Sequence, residues 1–246
     1  MSRIYILTPT YHRFEKVKTS LLSLKKTIEE CSQHDITLLI GDNNSPKEMK
    51  AWLVENFTGP KYKVFLSTKN IGKSNILNYV WEHCDKDCEY VGSFDSDLVV
   101  SPEHPNWLNS CITVLKKDKS IGLVSTDQLE QCCHLKRLLT KKKNVAGNDL
   151  LYGKFHAIAG GCVFLSKVDW MKIAGYKVRT LYGADDSYLL YAIGSLLKKE
   201  TVVNLSGPLI HPHGDEAGYV DWKSKACQNL QGKKGIQRPT KGYYDE

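Results

Sequence analysis

Short apolar runs alternate with amphipathic stretches through the first half of the chain. The runs IYILT, ITLLIGD, YKVFLS and CEYVGSFDSD are rich in β-branched and aromatic residues and are bounded by turn residues. They predict four strands, the first of which is expected to end at Pro9. Between the runs, apolar residues recur at the spacing of one helix face, as in Val17, Leu21, Leu24 and Ile28. The pattern therefore predicts successive strand–helix units.

Such units predict an α/β fold built on a Rossmann-like, mostly parallel sheet flanked by helices. In open sheets of this kind, ligands bind beyond the carboxyl ends of the strands. Those ends carry the polar segments TPTYHR, GDNNSP, STKNIGKSN and DSD. We therefore expect all four segments to meet at one edge of the sheet.

The second half of the chain is less regular. Residues 127–154 are polar and basic, which predicts an irregular connection. FHAIAGGCVFLS predicts a strand interrupted at Gly160 and Gly161, and KVDWMKIAGY and GADDSYLLYAIGSLL predict two helices. TVVNL and GPLIHPHGD are the last segments expected to be ordered, and residues 220–246 predict a lightly packed basic tail.

Composition narrows the class of protein. The chain is 41% hydrophobic and 25% charged, as in globular domains, and it has no apolar run of about 18 residues that would predict a membrane span. The apolar part of its N-terminus is too short for a signal peptide. Eight irregularly spaced cysteines form no CxxC pair, which predicts free thiols in a reducing cytoplasm. The adjacent Cys132 and Cys133 leave metal or redox chemistry as the alternative.

The net charge of +7 is unevenly distributed. Five basic residues fall between Lys136 and Lys143, and more follow in the tail. Such a cluster indicates a docking surface for a polyanion, either nucleic acid or an anionic membrane, or else a solubilising face.

Asp95 and Asp97 are the strongest candidates for chemistry. They lie one residue apart after the fourth predicted strand, and alternate residues of a strand point the same way. Two carboxylates held together in this way favour a bound cation, and Mg²⁺ and Mn²⁺ prefer carboxylate and phosphate oxygens. The pair therefore predicts a metal site that holds a diphosphate. The alternative is that the carboxylates cap the next helix or face water.

Two further pairs of residues are candidates for the same site. His211 or His213 could supply an imidazole ligand to the metal, or both could be ordinary loop histidines. Asp185 and Asp186 stand at the start of a predicted helix, where one carboxylate could act as general base and the other could orient an acceptor. Helix capping is the alternative for these two aspartates.

The remaining strand ends predict a nucleotide site. Asp42 could accept a hydrogen bond from a base or could simply form a turn, and Lys73 stands at a helix N-terminus that favours phosphate. Thr8 and Tyr11 could line the base pocket. The chain has no GxxxxGK[ST], GxGxxG, GxSxG or HExxH motif, which excludes a P-loop and argues against a dinucleotide site.

The motifs IYILTPTYHR, LLIGDNNSP, NIGKSNILN, FDSDLVVSP, AGGCVFLSKVDWMKIAGY and GADDSYLL, in this order, resemble those of family 2 glycosyltransferases with the GT-A fold. The resemblance covers residues 4–213. It implies one GT-A domain over residues 1–246, with a nucleotide-sugar half at 1–126 and a mixed acceptor-side half at 127–219.

The resemblance also implies roles for individual residues. Asp186 matches the catalytic base, and Asp185 stands where the family usually has glutamate. Asp95 and Asp97 match the DxD motif that binds metal and sugar diphosphate, and a late histidine completes the metal site. The residues assigned to donor binding are Thr8, Pro9, Tyr11, Asp42, Asn70, Lys73, Asp95 and Ser96.

We therefore expect a glycosyltransferase that requires Mn²⁺ or Mg²⁺, inverts the anomeric carbon and uses a nucleoside diphosphate sugar, UDP-linked by preference. The expected acceptor is a polyanion, with a hydroxylated base in DNA favoured over a membrane lipid. The alternatives are a transferase acting on a bacterial surface glycan or lipid carrier, and a non-catalytic module that binds nucleotide sugar or nucleic acid. A sugar-1-phosphate nucleotidyltransferase is disfavoured because ILTPTYHR lacks the expected glycine-rich loop.

Overall fold

A computed structural model describes residues 1–129, 141–152, 160–177 and 185–212. Its strands are β1 (Ser2–Thr10), β2 (His34–Asp42), β3 (Tyr62–Leu66), β4 (Tyr90–Phe94), β5 (Val99–Val100), β6 (Ile121–Leu129), β7 (Lys141–Val145), β8 (Asn148–Tyr152), β9 (Cys162–Ser166) and β10 (Glu200–Ile210). Its α-helices are α1 (Phe14–Glu30), α2 (Lys47–Asn56), α3 (Lys73–Glu82), α4 (Trp107–Lys117), α5 (Lys167–Ile173) and α6 (Asp185–Tyr191). A π-helical turn, Ala192–Leu196, continues α6.

Within these residues the strands form one sheet in the order β3-β2-β1-β4-β9-β6-β10-β8-β7, and β5 pairs with β10 outside this path. The first four strands are parallel to one another, as the strand–helix pattern predicts. β9 runs antiparallel to both β4 and β6 and separates them. Since β6 and β10 are parallel and β8 is antiparallel to β10, the second half of the sheet is mixed.

Two apolar cores cover the two faces of the sheet. The stripe predicted for α1 is buried at Val17, Leu21, Leu24 and Ile28, and it packs on one face together with residues of α2 and α4. Residues of α3, α5 and α6 pack on the opposite face. The sheet is thus packed between two layers of helices, and this packing holds the carboxyl ends of the strands in place.

A glycine allows β9 to pair closely with β4. Gly92 lies opposite Phe164 in this antiparallel pair, and a Cβ at Gly92 would lie 2.2 Å from the Phe164 ring. Only a residue without a side chain leaves room for the ring, so this contact depends on glycine. The same pairing brings the start of β9 beside the end of β4, where the candidate carboxylates follow.

Two details of the expected fold are wrong, the end of β1 and the connection at 127–154. β1 continues through Pro9 to Thr10, because β4 pairs with β1 only as far as Leu7 and Pro9 therefore has one neighbouring strand. TVVNL and GPLI, which were expected to be ordered, form one strand, β10, whose register against β6 shifts between Asn204 and Leu209. The predicted connection at 127–154 contains the end of β6 and the β7–β8 hairpin.

The β7–β8 hairpin was missed because the sequence KKKNV carries no apolar alternation. Its turn is formed by Ala146 and Gly147, both with positive φ, and the apolar residues that anchor it, Leu150 and Leu151, belong to β8. Lysines on an edge strand also oppose pairing with other chains.

Among the described residues, no helix is both long enough and apolar enough to cross a membrane. Free thiols are found at Cys31, Cys84, Cys88, Cys111 and Cys162. Cys132, Cys133 and Cys227 lie outside the described residues.

Candidate active site

The DSD segment forms a turn immediately after β4. The backbone N–H of Asp95 donates to the carbonyl of Gly161 at 2.6 Å, and that of Leu98 donates to the carbonyl of Asp95 at 3.1 Å. The spacing predicts that Asp95 and Asp97 extend from a strand on one common face. In the structure they do not, because both lie in the turn. Each carboxylate instead meets its own cationic side chain.

Lys73, the first residue of α3, joins Asp95 to Asp185. Its Nζ lies 2.9 Å from Asp95 Oδ1, 3.0 Å from Asp95 Oδ2 and 2.7 Å from Asp185 Oδ2. Only 10% of the Asp185 side chain is exposed, against 23% of Lys73. The contact connects the strand end that carries the DSD turn with the first turn of α6.

Burial and charge set the protonation states of Lys73, Asp95 and Asp185. Burial raises the pKa of Asp95 to about 7, against the opposing effect of Lys73. Burial alone would also lower the pKa of the Lys73 amine, but the carboxylates of Asp185 and Asp95 raise it well above its ordinary value. The pKa of Asp185 is lowered because Lys73 outweighs the effect of burial. Lys73 is therefore a permanent cation at the site.

Asp97 is held by a second cation, Arg13. Arg13 Nη1 lies 2.9 Å from Asp97 Oδ2, and only 9% of the arginine side chain is exposed. His211 Nε2 lies 3.6 Å from the same oxygen. Although burial favours the protonated acid, His211 and Arg13 hold the pKa of Asp97 below its usual range, and Asp97 in turn raises the pKa of His211 against the effect of burial.

Asp186 lies against the glycine turn that precedes β9. A Cβ at Gly160 would lie 1.5 Å from Asp186 Oδ1, so the carboxylate occupies the space that any other residue at Gly160 would fill. Burial raises the pKa of Asp186 to about 6, while a hydrogen bond with the Gly160 backbone opposes the rise. A carboxylate with such a pKa is deprotonated near neutral pH and is basic enough to accept a proton.

Asp42 is fully buried and organises the turn after β2. Its Oδ1 accepts from the Thr10 hydroxyl at 3.1 Å and its Oδ2 accepts from the Ser45 backbone N–H at 3.0 Å. Both oxygens thus support the loop, as in the turn-forming alternative. Nearby, Asn70 Oδ1 accepts from Asn43 Nδ2 at 2.6 Å, which joins this turn to the segment before α3.

The other residues assigned to donor binding lie along the same edge. Thr8 is buried in β1, and its hydroxyl has no hydrogen-bond partner among the described residues. Tyr11 packs edge-on against His12, with ring centroids 4.2 Å apart. Ser96 is buried within the DSD turn, and Pro9 pairs in register with Gly41. The predicted convergence of the four strand ends is thus present in the fold.

Sequence reasoning missed two residues of the site. Arg13 belongs to the segment TYHR, and its position at a polar strand end is the one sequence signal for it. The Tyr176 hydroxyl donates to Ser93 Oγ at 3.0 Å, and burial raises the pKa of Tyr176. Its side chain lies close enough to Lys73, Asp185 and Asp95 to interact with their charges. Tyr176 follows Gly175 at the end of α5, where no local pattern indicates a site.

The candidate metal ligands at this edge of the sheet are of the kinds that bind divalent cations. Asp95 and Asp97 offer carboxylate oxygens and His211 offers an imidazole nitrogen, and the buried His211 Nδ1 has no hydrogen-bond partner within the described part of the chain. In the part of the chain that the structure describes, however, no three acidic, histidine or cysteine residues already form a metal cluster. The ligand set therefore needs atoms from elsewhere, such as phosphate oxygens. His213 lies outside the described residues.

The basic cluster is only partly described. Lys141 and Lys142 are exposed, but Lys143 contacts Glu200 and lies 3.2 Å from Asp118 Oδ2. Lys136 and Arg137 lie outside the described residues.

Comparison with solved structures defines the class of fold. The mannosyltransferase PcManGT from Pyrobaculum calidifontis, in complex with GDP-Man and Mn²⁺, matches with a TM-score of 0.68 and 16% identity over 93% of this chain and 62% of that chain. GalNAc-T7 with UDP, GalNAc and Mn²⁺ matches with a TM-score of 0.67 and 13% identity over 88% of this chain and 45% of that chain. The architecture, a mostly parallel sheet flanked by helices, is the GT-A fold of glycosyltransferases, and the chain spans less than two thirds of either relative.

The family follows from the sequence. The family model for glycosyl transferase family 2 matches residues 5–171, and the chain belongs to that family. No curated protein sequence matches the chain.

Proposed function

We propose that the chain transfers a sugar from a nucleoside diphosphate sugar to an acceptor hydroxyl. The observation that carries the proposal is the contact of Lys73 with both Asp95 and Asp185. This contact brings the Lys73 cation, which suits a diphosphate, and the DSD turn, which offers carboxylates to a metal, beside the helix that carries Asp186. Family membership and the nucleotides and Mn²⁺ bound in the two structural relatives support the same function.

In the proposed reaction, Asp186 accepts the proton of the acceptor hydroxyl. The hydroxyl oxygen forms a bond to the anomeric carbon while the bond from that carbon to the diphosphate oxygen breaks, and the diphosphate leaves with the electron pair. Attack opposite the leaving group inverts the anomeric carbon. The Gly160 turn keeps the Asp186 carboxylate in place, and Lys73 stabilises negative charge on the diphosphate.

The residues present fit a divalent cation, provided that phosphate oxygens complete its ligands. Asp95, Asp97 and His211 would hold Mn²⁺ or Mg²⁺, which when bound supplies positive charge against the diphosphate. Uracil is the base that we propose for the nucleotide, with Asp42 and Asn70 shaping the loop around it.

A screen of sugar nucleotides tests the donor class. We expect one nucleoside diphosphate sugar, UDP-linked, to raise the melting temperature in the presence of Mn²⁺ and not after addition of a chelator, because a ligand that binds only the folded state stabilises it. UDP-sugars and GDP-sugars run side by side would identify the base. Stabilisation by no sugar nucleotide, with or without metal, would contradict the proposed function.

For the acceptor we propose a polyanion, with a hydroxylated DNA base as the specific candidate. The net charge of +7 and the exposed Lys141 and Lys142 support it, whereas the ion pairs of Lys143 reduce the positive charge of the hairpin. Transfer to DNA should weaken about tenfold or more as salt rises from low to physiological levels, because counterions compete for phosphate contacts. A salt-independent transfer to small sugars would instead favour a surface-glycan acceptor.

A further inference from the structure

Lys73 already engages the carboxylate that a metal would need. Its Nζ is within 3.0 Å of both oxygens of Asp95, and it also contacts Asp185 Oδ2. Asp97, the other acidic residue of the turn, contacts Arg13. Each carboxylate of the DSD turn therefore has a side-chain cation as its partner in the free protein.

Because of this arrangement, a divalent cation that binds Asp95 must compete with Lys73. To bind Asp95 it must displace an ammonium group from a partly buried ion pair, and the two positive charges then repel each other. A diphosphate that arrives with the cation removes this obstacle, because it offers Lys73 a new anionic partner. Lysine suits such an exchange, since its ammonium group has three donors on a flexible stem and binds phosphate as a point charge.

We propose that Lys73 is an exchangeable counter-ion that couples metal binding to donor binding. In the free protein Lys73 forms ion pairs with Asp95 and Asp185. When the donor binds, the ammonium group contacts the diphosphate instead, and Asp95 is then free to bind the metal. The inference rests on the proposed function. By thermodynamic linkage, the nucleotide must then strengthen metal binding by the same factor by which the metal strengthens nucleotide binding.

The test is the affinity of the free protein for Mn²⁺ alone, measured by titration calorimetry in wild type and in Lys73→Met. Loss of the ammonium frees Asp95, so Mn²⁺ should bind the variant roughly tenfold or more tightly. UDP in the absence of metal should bind the variant more weakly, and the enhancement of Mn²⁺ binding by UDP should shrink. GDP is run in parallel, so that the choice of base does not decide the result.

Three control variants separate this role from simpler ones. Lys69→Met removes the same charge from an exposed position before α3 and should leave Mn²⁺ affinity unchanged. Lys73→Arg keeps the charge and should not bind Mn²⁺ more tightly than wild type. Lys73→Gln, which can still donate to both carboxylates, should increase Mn²⁺ affinity as Lys73→Met does, and it provides the test if the methionine variant fails to fold.

The outcomes distinguish the inference from the function on which it rests. Wild type that binds neither nucleotide, with or without Mn²⁺, contradicts the proposed function. Wild type that binds nucleotide with Mn²⁺, while folded Lys73→Met and Lys73→Gln bind Mn²⁺ no more tightly than wild type or Lys69→Met, overturns the exchange and leaves the proposed function standing.

Discussion

Replacement of Asp186 by Asn is expected to lower the rate of glycosyl transfer by about 10²- to 10⁴-fold, the usual contribution of a general base. The amide keeps the shape of the carboxylate against Gly160 but cannot accept the hydroxyl proton. Donor binding should survive, because the contacts of Lys73 are with Asp95 and Asp185. The measurement is the transfer rate at saturating donor, together with donor affinity by calorimetry.

Two controls make this result specific. Asp85→Asn, an exposed aspartate just beyond α3, should transfer sugar at the wild-type rate. In wild type the rate should fall as pH drops through about 6, since burial raises the pKa of Asp186 to about 6 and the base must be deprotonated. An Asn variant with near-normal turnover, or a wild type without this acidic limb, would show that Asp186 is not the base.

Replacement of Asp97 by Ala is expected to abolish measurable turnover, with a loss of at least about a hundredfold, because a metal ion contributes several kcal/mol to stabilising the leaving charge. The same change should remove the effect of Mn²⁺ on donor binding, since Asp97 and His211 are two of the three proposed ligands. Donor affinity measured with Mn²⁺ and with chelator should then be equal.

The alanine also leaves Arg13 partly buried without its carboxylate, which can destabilise the fold. Asp97→Asn keeps an oxygen that can accept from Arg13 and therefore serves as the folded variant, with the thermal melting temperature as the check. If folded Asp97→Asn and Asp97→Ala both kept Mn²⁺-dependent donor binding at the wild-type level, Asp97 would not be a metal ligand.

Local sequence patterns were sufficient for the first half of the fold. Strands such as β2 and helices such as α1 are specified by apolar runs and by helical spacing within a few residues. The meeting of four polar strand ends then follows from parallel connectivity alone. For this reason Asp95, Lys73 and Asp42 could be assigned to one edge from the sequence.

Contacts between distant segments could not be predicted in this way. The insertion of β9 between β4 and β6 depends on Phe164 packing over Gly92, which no local period encodes. The pairing of Lys73 with Asp185 and of Arg13 with Asp97 depends equally on tertiary packing. Spacing alone therefore predicted two carboxylates without a cationic partner until a metal binds. In the fold, each carboxylate instead forms an ion pair with a side-chain cation.

We propose that the DSD turn and His211 hold a divalent cation against the diphosphate of the donor. The most direct test is the anomalous scattering of Mn²⁺ in crystals grown with UDP and Mn²⁺. We expect one strong peak within bonding distance of Asp95, Asp97, His211 and a phosphate oxygen, with Lys73 turned toward the diphosphate. Ordered nucleotide with no manganese peak at these residues, and with Lys73 still on Asp95, would contradict it.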